Sequence, residues 1–266
     1  MQRMNPISKK SSLSVPSSKI SAIFIDEEEK TQLIFTKDQL INQLRRECPK
    51  ISKSFDFLYS TEFQQLSDAI SGILPIIYVG NRDALKQNDQ LITTCGNLLR
   101  NSSNTVIASI QTLRSGFRLQ SGILLRSVIE ICATVVHLLV QPKILNDFLT
   151  DKITSSKSIS VADKQIPLFG RLWGELSKRQ IHINSIHSDW YPLREFKDKE
   201  EVPAKVTLGM ISVSVLILEI VTELVFINLI EKPKHWEVID KGVVQFIPPD
   251  SSQLSQIEYL FKATDE

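Results

Sequence analysis

The segment LLRSVIE, residues 124–130, sets an arginine and a glutamate one helical turn apart inside one of the most apolar stretches of the chain. At about 100° per residue, Arg126, Glu130 and His137 fall within roughly 40° of one another, so a helix carries them as one polar stripe. A guanidinium binds anions, a carboxylate orients a donor, and an imidazole that titrates near neutrality moves protons or ligates metal. A second set lies in RLWGELSKRQIHINSIH, where Glu175, Lys178 and His182 share a face by the same count, and Gly170 and Gly174 leave a groove for close approach of another backbone. Glu219 and Glu223 repeat the four-residue spacing further on and are candidates to face Arg126.

An intrahelical ion pair is a weak reason for the stripe. Arginine ahead of glutamate is the poorer order, and such a pair contributes only about 0.2–0.5 kcal/mol even when well arranged. Either charge buried alone costs several kcal/mol, so partners on other helices are expected. Two readings follow: a salt-bridged structural cluster, or a functional site marked by perturbed charges. His182, His187 and Asp189 offer three possible ligands close together, but there is no HExxH, no Glu-x-x-His pair and no cysteine cluster, and no metal is expected. Phosphate-cradle, dinucleotide and nucleophile-elbow motifs are absent too, and no cofactor is expected. His235 beside Trp236 reads as hairpin surface.

The elements that must position these residues are mostly helices. Apolar residues recur at three- and four-residue steps over 82–113, which predicts one long helix, and Ser115 and Gly116 separate it from a second that runs to Pro142. A short helix over 144–153, a helix from about 161 that Pro167 bends or begins, and a last one over 203–230 follow. Near the N-terminus, KISAIFI and TQLIFT around DEEEK read as a hairpin; Thr36 with Gln39 predicts a capping box, and Thr61 caps a helix that Pro75 stops. WEVID and VVQFIP around Lys241 and Gly242 read as another hairpin. The fold expected is therefore mainly α, an antiparallel bundle of four or more long helices with short β-hairpins near the two ends. It divides into a flexible tail (1–18), an N-terminal hairpin with short helices (19–80), the bundle core (81–231), and a C-terminal hairpin with a short helix (232–266).

The 31 basic and 30 acidic side chains nearly cancel, so no global field draws the protein to nucleic acid or membrane. Cys48, Cys95 and Cys132, odd in number and widely spaced, fit reduced and packed thiols in the cytoplasm. Residues 208–230 are long enough to span a bilayer, but Glu219 and Glu223 near the centre favour a core helix, and no membrane span is expected.

SGILLRSVIE followed by LFGRLWGELSKRQIHIN resembles the helical domains of a bacterial family of unknown function related to HEPN modules, over roughly residues 83–230. The resemblance rests on Arg126, Glu130, Leu176, Ser177 and His182. It implies a helical bundle, often dimeric, and for many members metal-independent RNA cleavage in toxin or antiphage systems. In that chemistry His182 is the general acid or base for 2′-hydroxyl attack, Arg126 or Arg179 steadies the phosphate, and Glu130 orients one of them. The HEPN pair of arginine and histidine is separated by four to six residues, whereas here two residues separate Arg179 from His182 and seven separate it from His187. The alternative is a non-catalytic module whose bundle face binds a copy of itself or another protein, its polar stripe fixing helix register.

Overall fold

The computed structural model describes residues 16–182, 187, 193–199, 201–240 and 242–249, leaving aside the side chains of Ser17 and Arg179. The expected tail lies outside these residues except for its last three, and so does the short helix expected after the second hairpin. Within them the chain is mainly helical, with two separate two-stranded antiparallel hairpins. Strands β1 (Ile20–Asp26) and β2 (Thr31–Thr36) form the first. Short α1 (Gln39–Asn42) and a π-turn lead into α2 (Cys48–Leu58) and the long α3 (Ser60–Lys86), α4 (Gln90–Arg114) and α5 (Arg118–Val140). After α6 (Leu145–Leu149) come α7 (Ser155–Gln165), α8 (Phe169–Leu176) and a π-turn over Ser177–Ile181. The last helix, α9 (Val202–Val225), is followed by hairpin β3 (Trp236–Asp240) and β4 (Val243–Phe246).

Several boundaries differ from expectation: the helix expected from about 161 starts at Ser155, the one over 144–153 spans only Leu145–Leu149, and the last ends at Val225 rather than 230. Pro75 does not stop a helix but sits inside α3 on its exposed side, where water can reach the Ser71 carbonyl left without an amide donor. The domain edge expected at 80 thus falls within α3. The single helix expected over 82–113 is broken at 87–89: Asn88 takes φ 55°, and the Asp89 carboxylate caps α4 by accepting the Ile92 amide at 3.0 Å. Thr36 ends β2 rather than capping, Asp38 being the first-turn neighbour of α1, and Thr61 lies within α3, which starts one residue earlier. Pro167 does separate α7 from α8.

Three-residue turns fold α3 back on α4 and α4 back on α5, and Gly116, at φ 92°, supplies the left-handed residue of the second turn. Helix α5 lies at the centre, packed by α4, α9, α7 and α8, while α9 also packs on α3 and α4. This explains why both are apolar nearly all round. They are long and apolar enough to cross a membrane, and in this fold their most apolar windows are 50 % and 72 % buried. All three cysteines are free and buried. Burial pushes the Cys95 and Cys132 thiols up to about 12, which leaves them inert.

Candidate functional site

On α5, Arg126 and Glu130 pair with each other within the helix, Nε to Oε1 at 3.0 Å, each side chain about one quarter exposed. The third member comes from α8. Trp173 Nε1 donates to the same Glu130 oxygen at 2.9 Å, and the Arg126 guanidinium lies 5.0 Å from the indole ring centre. One carboxylate oxygen thus takes two donors while the cation covers the ring. Nothing in the carboxylate spacing pointed to Trp173; its place one turn before Ser177 on an apolar face was the available signal. Ser177 is buried and turned inward, its hydroxyl donating to the Trp173 carbonyl at 2.6 Å. Glu175 is half-buried and Lys178 exposed.

His182 does not join this cluster. Its side chain is exposed, its backbone amide donates to the Ser177 carbonyl at 2.9 Å, and among the described residues no hydrogen bond or ion pair links its imidazole to Arg126 or Glu130. The π-turn Ser177–Ile181 ends the helix before it can carry His182 along the face shared with Glu175 and Lys178. Arg179's side chain and Asp189 lie outside the described residues; His187 is half-buried. The glycine groove is also placed differently. Gly174 faces open space, and Gly170 meets the Asp163 carboxylate, which accepts its amide at 2.8 Å. Close approach occurs instead at Gly122, covered by the Gln180 side chain, and at Gly80, covered by the Phe226 ring.

His137 follows the stripe two turns on but is fully buried against α7, its Nδ1 3.2 Å from Ser158 Oγ, with no hydrogen bond to its Nε2 among the described residues. Burial holds its pKa below the ordinary value, with the opposing influence of Gln141 smaller. A neutral imidazole is the state this pocket favours.

Glu219 and Glu223 do not face Arg126. They clasp the chain entering β3: the Glu223 carboxylate accepts the backbone amides of Lys234 at 3.0 Å and His235 at 2.9 Å, while Glu219 pairs with Lys234 Nζ at 2.7 Å. Trp236 Nε1 adds a bond to the Ile220 carbonyl at 2.8 Å. His235, expected at the surface, is buried, with Nε2 3.9 Å from Glu219 Oε2. That imidazole and the Lys234 ammonium hold the Glu219 carboxyl down at about 2. Glu219, Glu223 and His235 bring one potential ligand atom each within 4.8 Å of the others, so these are the residues that could hold a divalent ion. The Lys234 ammonium already occupies the cationic position there, and the backbone amides saturate much of Glu223.

A further buried charge had no signal in the periodicity. Arg118, at the first position of α5, is 2 % exposed, ion-paired with Glu201 ahead of α9, and stacked 4.3 Å from the Phe196 ring centre. It binds the starts of α5 and α9 to residues 193–199. Each strongly buried charge in the bundle therefore joins separate elements. The chain matches no protein-family model, no curated protein and no solved structure.

Proposed function

We propose that the protein is a non-catalytic helical module that acts by binding a copy of itself or another protein, with the Arg126–Glu130–Trp173 cluster fixing the register of α8 on α5. The observation that carries this reading is the single Glu130 oxygen shared by Arg126 and Trp173, with the His182 imidazole exposed and unlinked to either. A carboxylate so engaged is a fastener between helices rather than an orienting group for an incoming substrate. The near-zero net charge supports the same reading, because binding of a polyanion draws mainly on clustered cations. Free, buried thiols support a cytoplasmic setting.

The competing reading is the HEPN-like RNA cutter, with His182 as acid or base and Arg126 or Arg179 at the phosphate. The exposure of His182, on the turn that also carries Arg179, favours it. The deciding experiment incubates purified full-length protein with mixed single- and double-stranded RNA in chelator. Intact RNA is the expected result, and cleavage that His182→Ala abolishes would overturn the proposal.

A further inference from the structure

Among the described residues, the surroundings of the β1–β2 hairpin do not account for its composition. Its cross-strand pairs are Ala22 with Phe35, Ile23 with Ile34, and Phe24 with Leu33. Alternation then places Ala22, Phe24, Leu33 and Phe35 on one face, and Ile23, Ile25 and Ile34 on the other. Both faces are apolar, yet among the described residues no helix packs substantially against either. Ile23, Phe24, Ile25 and Phe35 are 39–65 % exposed, and the apolar surface continues onto Leu40, Ile41 and Leu44, 51–71 % exposed. A two-stranded hairpin is marginal by itself in water, and among the described residues β1 pairs only with β2, its outer edge meeting no other strand.

The charges on this arm say what completes it. Asp26, Glu27, Glu28 and Glu29 outweigh Lys30 at the tip, and at the base the exposed Lys19 and Lys37 outweigh Asp38, on which Lys19 acts. Two arms laid edge to edge antiparallel bring the acidic tip of each beside the basic base of the other. Parallel arms would instead set tip against tip, with like charges opposed. We propose that the partner is a second copy of this chain, joined through the outer edges of β1 about a two-fold axis at Ile23, which sets Lys19 opposite Glu27 of the second copy. A two-fold axis makes one edge complementary to itself and closes the assembly as a dimer. The result is a four-stranded sheet whose apolar faces are extended and shared. This inference rests on the interaction-module reading and names its partner.

Mass measurement across a concentration series by light scattering, on the full chain, tests it. Twice the 30.2 kDa chain mass is expected at micromolar concentration, with dissociation favoured by salt. Lys19→Glu should weaken the dimer about tenfold, since two like-charge contacts arise by symmetry, and Lys19→Glu/Glu27→Lys should restore it. Phe24→Glu/Ile25→Glu should give a monomer whose bundle melts as the wild type does, because none of the described helices packs substantially on the hairpin. A wild-type protein that stays monomeric, or a dimer indifferent to both the charge swap and the arm substitutions, overturns the second-copy assignment. Neither result bears on RNA cleavage, whose dependence on His182 is what would sink the module reading itself.

Discussion

Replacing Glu130 with alanine should cost more stability than replacing Arg126, although the two look equivalent as an ion pair. Glu130→Ala removes the charge-assisted acceptor of the Trp173 indole, about 1.5–3 kcal/mol, and a partly exposed helical ion pair of about 0.2–0.5 kcal/mol. The expected loss is about 2–3 kcal/mol. Arg126→Ala removes the same ion pair and the stacking on Trp173, about 0.5–1 kcal/mol, and leaves Glu130 with its indole donor, so about 1 kcal/mol is lost. Glu130→Gln keeps a neutral acceptor and should fall between them. Urea unfolding of the full chain with a common slope measures these differences, and at this size each kcal/mol lowers the melting temperature by about 2–4 °C. Trp173→Phe retains the packing and deletes the donor. Its effect should therefore be non-additive with Glu130→Ala, the two coupled by about 1 kcal/mol or more. Arg126→Ala as damaging as Glu130→Ala, or Glu130→Ala within about 0.5 kcal/mol of wild type, would refute the idea that Glu130 acts by fastening α8 to α5.

Glu223→Ala leaves two backbone amides without their acceptor and should destabilise by about 2–4 kcal/mol, with hydrogen exchange rising at residues 234 and 235; unchanged protection there would count against the clasp. Gly80→Ala drives a methyl into the Phe226 ring, so a net loss of about 1–2 kcal/mol is expected in chemical unfolding even though alanine gains about 1 kcal/mol of helix propensity. His137 has its folded pKa lowered, so its contribution is fully present above its unfolded value, 6.5, and is lost as pH falls from there through the folded value, where the unfolded chain takes up the proton first. Unfolding midpoints measured between pH 8 and pH 5 should therefore fall with pH, and His137→Gln should flatten that slope. Glu219, also lowered, contributes stability present above 4.5 that is lost toward about 2, so Glu219→Gln should remove an acid-unfolding component below pH 4.5 and leave the neutral-pH slope alone.

Local patterns made much of this fold legible in the sequence. The three- and four-residue apolar steps of α4 and α5, the glycine at 116 and the prolines at 142 and 167 act within a turn or two of where they stand. So do the alternating runs on either side of DEEEK. Pro75 misled because whether a proline ends a helix depends on which side faces water, and that is set by the helices packed on the other side. Asn88 and Asp89 were readable as a stop followed by a cap, but the apolar periodicity runs through them almost in phase.

The sequence by itself determined that Arg126, Glu130 and His137 share one face, because helical pitch depends on nothing beyond the helix. It also determined that charges on so apolar a helix need partners. Only the tertiary structure decided who those partners are: Trp173 for Glu130, Ser158 for His137, and the chain at 234–235 rather than Arg126 for Glu223. Pairing across helices depends on the order, tilt and separation of whole rods, quantities set by the packing of the entire core at once and not encoded near any one of the residues that meet.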